Sequence, residues 1–338
     1  MTDVIEQGSQ DPTELLFRVL LFNCFNRIET WKLLEGAFCG PLTYAEFDLA
    51  KYDKVLSAAV KRGISLFTGA YMRIGHRLDH HANHMRHLEL LEILMRDLPP
   101  ILAAANYAAD VYEQLAAYQG MGAFTAYQLM LNLSYSSLLN FSGNDFVVPG
   151  PGACSGLAKM FGRTDLRRAK AAVPDIESDI LRWLVETQRE HFGRLGLAFT
   201  YLRCPTGQEI DLGLADIEHA VCEVDKYARI VHPGAIGIGS RTQLRGRFQP
   251  SPDGLPAVPA LPKSWADPAR QVVKVRTGPI VVQPRYCISK ILAEQTVGDE
   301  VEYLIAWLGY SETTWEPRRV LLEDAPGLVR EWTNAQST

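Results

Sequence analysis

Gln119-Gly120-Met121-Gly122 interrupts two stretches of helical composition, Ala108 to Ala116 and Ala123 to Asn132. Glycines at such a break leave the backbone N–H groups of the second helix start uncovered, which is the chemistry of a phosphate grip. A second glycine turn, Gly150-Pro151-Gly152, opens the next helical stretch, and Asp145 lies just ahead of it. Farther out, Arg27 and Glu29 end the first helix, and Asp216, Glu223 and Lys226 share one late helix. Glu223 borders that helix's apolar stripe, where a carboxylate is costly unless paired. Arg27 or Lys226 can pair with it, so a buried salt bridge joining first helix to last and a polar catalytic pocket both fit. His76, His80, His84 and His87 share a helical face with His81 off it, a spacing that chelates metals. Arg73, Arg77 and Arg86 are interspersed and no cysteine or carboxylate completes a set, so the reading is a solvated basic face and no metal.

These residues need helices to position them. Asp11-Pro12-Thr13-Glu14 predicts a helix start, with Leu16, Val19, Leu20 and Asn23 as its buried stripe and Arg27 at the buried edge. Thr43-Tyr44-Ala45-Glu46 reads as a capping box opening another helix, and Lys61-Arg62-Gly63 closes one. Leu78 to Leu98 predicts a long helix stopped by Pro99-Pro100. Further helices are expected over Ala153 to Phe161, Asp175 to Arg194 and Asp216 to Val231. From His232 the chain turns proline- and glycine-rich, with arginines at 241, 245 and 247, and reads as a basic linker that buries no core. Beyond it Val301, Tyr303, Ile305 and Trp307 alternate with Glu302, Leu304 and Ala306, the period of a strand.

The run Leu115-x-x-Tyr118-x-Gly120-Met121-Gly122-x-x-Thr125-Ala126, followed by Asp145 and the second glycine turn, resembles the helix-hairpin-helix of DNA base-excision glycosylases. In that resemblance Gly120, Gly122, Gly150 and Gly152 hold DNA phosphates. Asp145 takes the place of the carboxylate that stabilises a cationic sugar or activates a nucleophile at a flipped-out nucleotide. Lyase members carry a lysine just after the second glycine. Ala123 and Phe124 stand here, which disfavours a Schiff-base step. The segments FNRIETW, GMGAFTAYQ, VPGPGACSGL and DIEHAVCEVDKY resemble, over about residues 12–232, the helical domain attached to 5-hydroxymethyluracil DNA kinases. That domain is related to the α-glutamyl/putrescinyl-thymine pyrophosphorylases. The resemblance implies pocket roles for Arg27, Glu29, Asp145, Asp216, Glu223 and Lys226. No G-x-x-x-x-G-K-[ST] loop occurs, so kinase activity does not carry over.

The segments YCISKILAEQ, VEYLIAWLGYSETTWEP and LLEDAPGLVREW resemble a chromodomain. Tyr286, Trp307 and Tyr310 then align with the aromatic cage that holds a methylated lysine, an attraction of about 2 kcal/mol when desolvated. Tyr303, Trp315 and Trp332 are left to fill the core. Glu294, Asp299, Glu300 and Glu302 suit a basic histone tail. The loop from Tyr310 to Trp315 is shorter than in heterochromatin-protein chromodomains and closer to that of retroelement integrases.

With 338 residues and 47% apolar content, the chain can bury a sizeable core. Six scattered cysteines without a C-x-x-C pair fit a reducing compartment. The net charge of −5 argues against nonspecific attraction to nucleic acid, with the linker as the basic part. The expected architecture is mostly α, helix-hairpin-helix and DNA-glycosylase-like, with a small C-terminal β-plus-helix chromodomain. Its parts are a disordered 1–11, a helical domain 12–232, a linker 233–283 and a chromodomain 284–332. The expected protein is nuclear and works without a cofactor or membrane. Its partners are DNA and a methylated histone tail, and its chemistry is base excision or group transfer at a 5-hydroxymethyluracil-type thymine. The rival is a non-catalytic chromatin reader, retroelement-derived by the chromodomain's type.

Overall fold

Asp11 sets the first long helix. Its carboxylate accepts the N–H groups of Thr13 and Glu14 at 2.9 and 3.3 Å, Pro12 occupies the first helical position, and α2 runs Pro12–Phe25. The computed structural model describes residues 2–68, 83–203, 207–238, 265, 267–308 and 310–336. A short α1, Thr2–Glu6, precedes α2 within the stretch expected to be disordered. Arg18 ties the two together: its guanidinium is buried and donates to the carbonyls of Val4, Ile5 and Ser9. α2 is apolar almost all round and forms the axis of the helical core, packed on α5 (Asn83–Ala104) and α7 (Ala123–Ser134).

Several local expectations change. Thr43 does bond Glu46, but the backbone N–H groups of Tyr44 and Ala45 go to the Glu14 carboxylate instead of a helix. After α3 (Ile28–Phe38), α4 (Leu49–Lys61) therefore starts under Asp48, which caps Lys51 N at 2.9 Å. α5 passes through Pro99-Pro100 and ends at Ala104, because Ile101 and Leu102 still have core to pack against. His84 and His87 are buried on α5, not solvated. His84 Nε2 lies 2.8 Å from Asp53 Oδ1. His76, His80 and His81 lie outside the described residues.

The hairpin follows as α6 (Ala108–Ala116) and α7, with the turn 119–122 between them. Then come α8 (Pro151–Phe161), α9 (Arg163–Ala172), α10 (Ile176–Arg194), a small hairpin of β1 (Leu202–Arg203) and β2 (Glu209–Ile210), and α11 (Leu214–Val231). α11 packs chiefly on α8. Among the described residues no helix is long and apolar enough to cross a membrane.

The second half of the expected linker is a strap on the helical domain. Arg270 donates to the carbonyls of Ser134, Ser136 and Leu139 at the end of α7. Arg276 bonds Asp110 and Glu113 on α6, and Val281 N donates to Glu113. Arg285 N donates to Ala117 O at 2.9 Å, and its side chain reaches the Tyr118 hydroxyl at 2.7 Å. These three arginines meet protein groups in place of DNA phosphates; Arg241, Arg245 and Arg247 lie outside the described residues.

The chain ends in an antiparallel sheet of order β3 (Ile288–Val297), β4 (Glu300–Trp307), β5 (Thr313–Pro317), closed by α12 (Arg318–Asp324) and α13 (Pro326–Gln336). Its core is Ile288, Ile291, Tyr303, Ile305, Leu321, Ala325 and Val329. Trp332 packs at the margin, whereas Trp315 is 39% exposed and lies outside that core. Cys287 and Leu308 join the helical domain's core, linked by Leu308 N to Cys287 O at 2.8 Å. The base of the small module is thus continuous with the hairpin.

Candidate functional site

The two glycine turns do different things. Gly120 has φ +78°, and nothing lies within 4 Å of a Cβ built on Gly120 or Gly122. Gly122 is the N-cap of α7 with no side-chain cap, so the first N–H groups of α7 have no intrahelical acceptor. This is an open helix start, suited to a phosphate. At the second turn, Gly150 N instead donates to Glu218 Oε1 at 2.8 Å. A Cβ on Gly152 would meet Cys222 Sγ at 2.3 Å, and one on Gly156 would meet the Val221 carbonyl at 2.3 Å. Gly150 and Gly152, expected on phosphates, let α8 approach α11, and the protein's own carboxylate sits where an anion would.

Asp145 is buried at 3% exposure. Its Oδ2 accepts from Ser142 N at 3.1 Å and its Oδ1 from Lys274 N of the strap at 2.7 Å. Arg182 holds the carbonyls of Asn144 and Asp145 at 2.9 and 3.0 Å. Burial pushes the Asp145 carboxyl above its ordinary range, opposed by the two backbone N–H groups and by Lys274 and Arg182. Asp145 therefore pins a turn and the strap together, and no face of it is open to a nucleotide here.

The remaining expected pocket residues do not converge. Arg27 occupies the N-cap position of α3 without a side-chain cap bond, pairs with Glu29 at 3.1 Å, and also reaches Phe67 O. Asp216 closes a capping box on Gly213 N at 2.8 Å. Glu223 pairs with Lys226 one turn along an exposed face. The bridge from first helix to last is not formed: Arg27 has Glu29, and Glu223 has Lys226.

What α11 does bury is Glu218 and Asp225, both 1% exposed. Asp225 is saturated, accepting from Ser155 at 2.7 Å and pairing with Lys159 at 3.1 Å and with Arg229. Burial alone would raise it, but these bonds bring its carboxyl below the ordinary range. Glu218 is not saturated. Its Oε2 has no hydrogen-bond partner, and burial, only partly opposed by Gly150 N–H and His219, holds it above the usual carboxylate range. Tyr127 of α7, fully buried, also leaves its hydroxyl without a partner, and its acidity is suppressed by burial and by the charges of Glu218 and Asp216. The sequence signal for Glu218 was present in DIEHAVCEVDKY. It lies one position after Ile217 of the apolar stripe, and the burial that matters comes from α8.

At the C-terminal module, Tyr286 and Tyr310 are 64% and 40% exposed with ring centroids 5.7 Å apart. Trp307 pairs with Ile288 across the sheet, and its Nε1 donates to Thr314 at 2.9 Å. Tyr286 directly follows Arg285, whose backbone bridges the hairpin at Ala117 and Tyr118, and Tyr310 stands against Tyr286.

Compared with known families, residues 1–237 match the model described as 5-hmdU DNA kinase, helical domain. Residues 286–334 match the chromo (chromatin organisation modifier) domain. No solved structure matches the chain.

Proposed function

Because the chain belongs to the family of the 5-hmdU DNA kinase helical domain and carries a chromodomain at its end, we propose that it processes a modified thymine in chromatin. The two modules make it a chromatin-associated protein of a DNA-modifying kind. In the finer reading, the chromodomain docks on a methylated histone tail in the nucleus through Tyr286, Trp307 and Tyr310, and the helical domain acts on a 5-hydroxymethyluracil-type base. The reaction is base excision or transfer of a group onto the 5-methylene carbon. The observation that carries the reading is the adjacency of two open features. The uncapped start of α7 at Gly122 lies beside Tyr118, and Tyr118 is bridged to Arg285, the neighbour of Tyr286. A tail held in the cage therefore brings the phosphate-seeking turn to the adjoining DNA.

A second reading is a chromatin reader without chemistry. It is favoured by the closure of Asp145 under Lys274 and by the scatter of Arg27, Glu29, Asp216, Glu223 and Lys226 over separate pairs. Intact mass spectrometry of a duplex carrying one 5-hydroxymethyluracil, plain or pyrophosphorylated, separates the two. The protein is added with and without a mixture of amino acids and polyamines. Loss of the base identifies excision, and gain of one amine with loss of the activating group identifies transfer. An unchanged mass in every condition, with the duplex bound, leaves the reader.

A further inference from the structure

Glu218 lies in the seam where α7, α8 and α11 meet. One oxygen is fixed by Gly150 N–H, and the other is buried without a hydrogen-bond partner, 3.5 Å from His219 Nε2. His219 Nε2 in turn lies 3.1 Å from Gln128 Nε2. An amide nitrogen only donates, so the ring nitrogen accepts there and the ring proton sits on Nδ1. Nε2 has a single lone pair, which Gln128 holds at rest, so the imidazole can take a proton from the Glu218 oxygen 3.5 Å away only when the Gln128 bond opens. The Glu218 side chain is 1% exposed and that of His219 is 44% exposed, so the imidazole is the link from the seam to water. Tyr127 adds a second unpartnered buried oxygen from α7. Phe124 closes the seam, its ring 2.9 Å from where a Gly150 Cβ would stand, and it lies two residues past Gly122 at the open helix start.

We propose that Glu218 is the acid–base residue of the helical domain, exchanging protons with water through His219 and serving a nucleotide whose phosphate is held at Gly120–Gly122 and whose base displaces Phe124. This rests on the modified-thymine reading above. In the step, the lone pair of an amine or water bonds to the carbon under attack as the leaving group departs with the electrons of the broken bond. The nucleophile's N–H or O–H proton passes to Glu218 Oε2, then to His219 and to water, which restores the carboxylate. The Tyr127 hydroxyl orients the reacting group by donating to it.

The test uses the full chain and the same 5-hydroxymethyluracil duplexes with the amine mixture, comparing wild type with Glu218→Gln, His219→Gln and Tyr127→Phe. Glu218→Gln keeps the side chain's shape and the acceptor for Gly150 N–H. Turnover is expected to fall by about 100-fold or more with duplex affinity unchanged. A base must be ionised, so the wild-type rate rises with pH through the Glu218 titration, which lies above the ordinary glutamate range. Beside Glu218 stand His219 and Cys222 on α11, Tyr127 on α7 and Cys154 on α8. The limb is expected to vanish in Glu218→Gln, and to move in His219→Gln and Tyr127→Phe. An active wild type with an undiminished Glu218→Gln rate overturns this assignment alone. A wild type that alters none of the duplexes overturns the modified-thymine reading and the assignment with it. If Glu218→Gln loses its cooperative melting transition, His219→Gln decides, and an unmoved limb there overturns the relay.

Discussion

Two turns in this chain carry the same sequence signature, a Gly-x-Gly at the start of a helix, and the protein puts them to opposite uses. Around Gly120 and Gly122 there is open space and an uncapped helix start. Around Gly150 and Gly152 there is another helix, close enough that Glu218 takes the turn's first N–H and Cys222 fills the place of a side chain. The glycines of α8 are small so that a helix can come near; the glycines of the hairpin are small so that something outside the protein can. What separates the two is α11, which no local pattern at either turn contains.

The packed side should yield the largest effects. Gly156→Ala drives a methyl against the Val221 carbonyl, which as backbone cannot swing aside. Alanine gains about 1 kcal/mol of helix propensity over glycine, so a net loss of about 2 kcal/mol or more in denaturant titration is expected from overpacking. Removing a neighbouring side chain will not restore it. Gly152→Ala meets a side-chain atom instead, Cys222 Sγ at 2.3 Å, with Cys222 Cβ at 3.3 Å. A loss of about 1–2 kcal/mol is expected, and Cys222→Ala in the same chain should recover most of it, a coupling of about 1 kcal/mol. Additive losses in that double-mutant cycle would break the account of why α8 carries these glycines.

How much of this the sequence disclosed follows from the distance over which each feature is decided. The hairpin helices and the β4 alternation around Tyr303 and Ile305 were legible, because glycine breaks and side-chain period are local. The Thr43-to-Glu46 capping box failed because Glu14, some thirty residues back, claims the same N–H groups. The basic stretch was read as reaching for DNA, yet Arg276 meets Asp110 and Glu113 from more than 160 residues away. Charge counts do not say which acid a base will find. Asp145 was legible as a carboxylate between two glycine turns, but its cover, Lys274 N, comes from the strap. Glu218 was hidden for the same reason, since its burial depends on a turn 68 residues earlier.

The open side sharpens the comparison by how little it should cost. Gly120→Ala meets no atom, but φ +78° is the left-handed region, and a loss of about 1 kcal/mol is expected from backbone strain alone.

Gly122→Ala is the smallest in stability and the most telling in function. Gly122 has φ −66° and ψ 163°, which alanine adopts freely, and a Cβ there has nothing within 4 Å. Alanine is a poorer N-cap than glycine, so about 0.5 kcal/mol is the expected loss in a melt. The added methyl does, however, stand at the approach to the α7 N–H groups. If that start holds a phosphate, losing one charge-assisted bond of about 1.5 kcal/mol weakens duplex binding roughly tenfold. On the packed side the order is reversed, since Gly152→Ala with Cys222→Ala should bind duplex like wild type once refolded stability is recovered. Equal duplex affinities for Gly122→Ala and wild type in a salt-matched titration would mean that the open turn grips nothing, and the contrast between the two turns would then be one of packing alone.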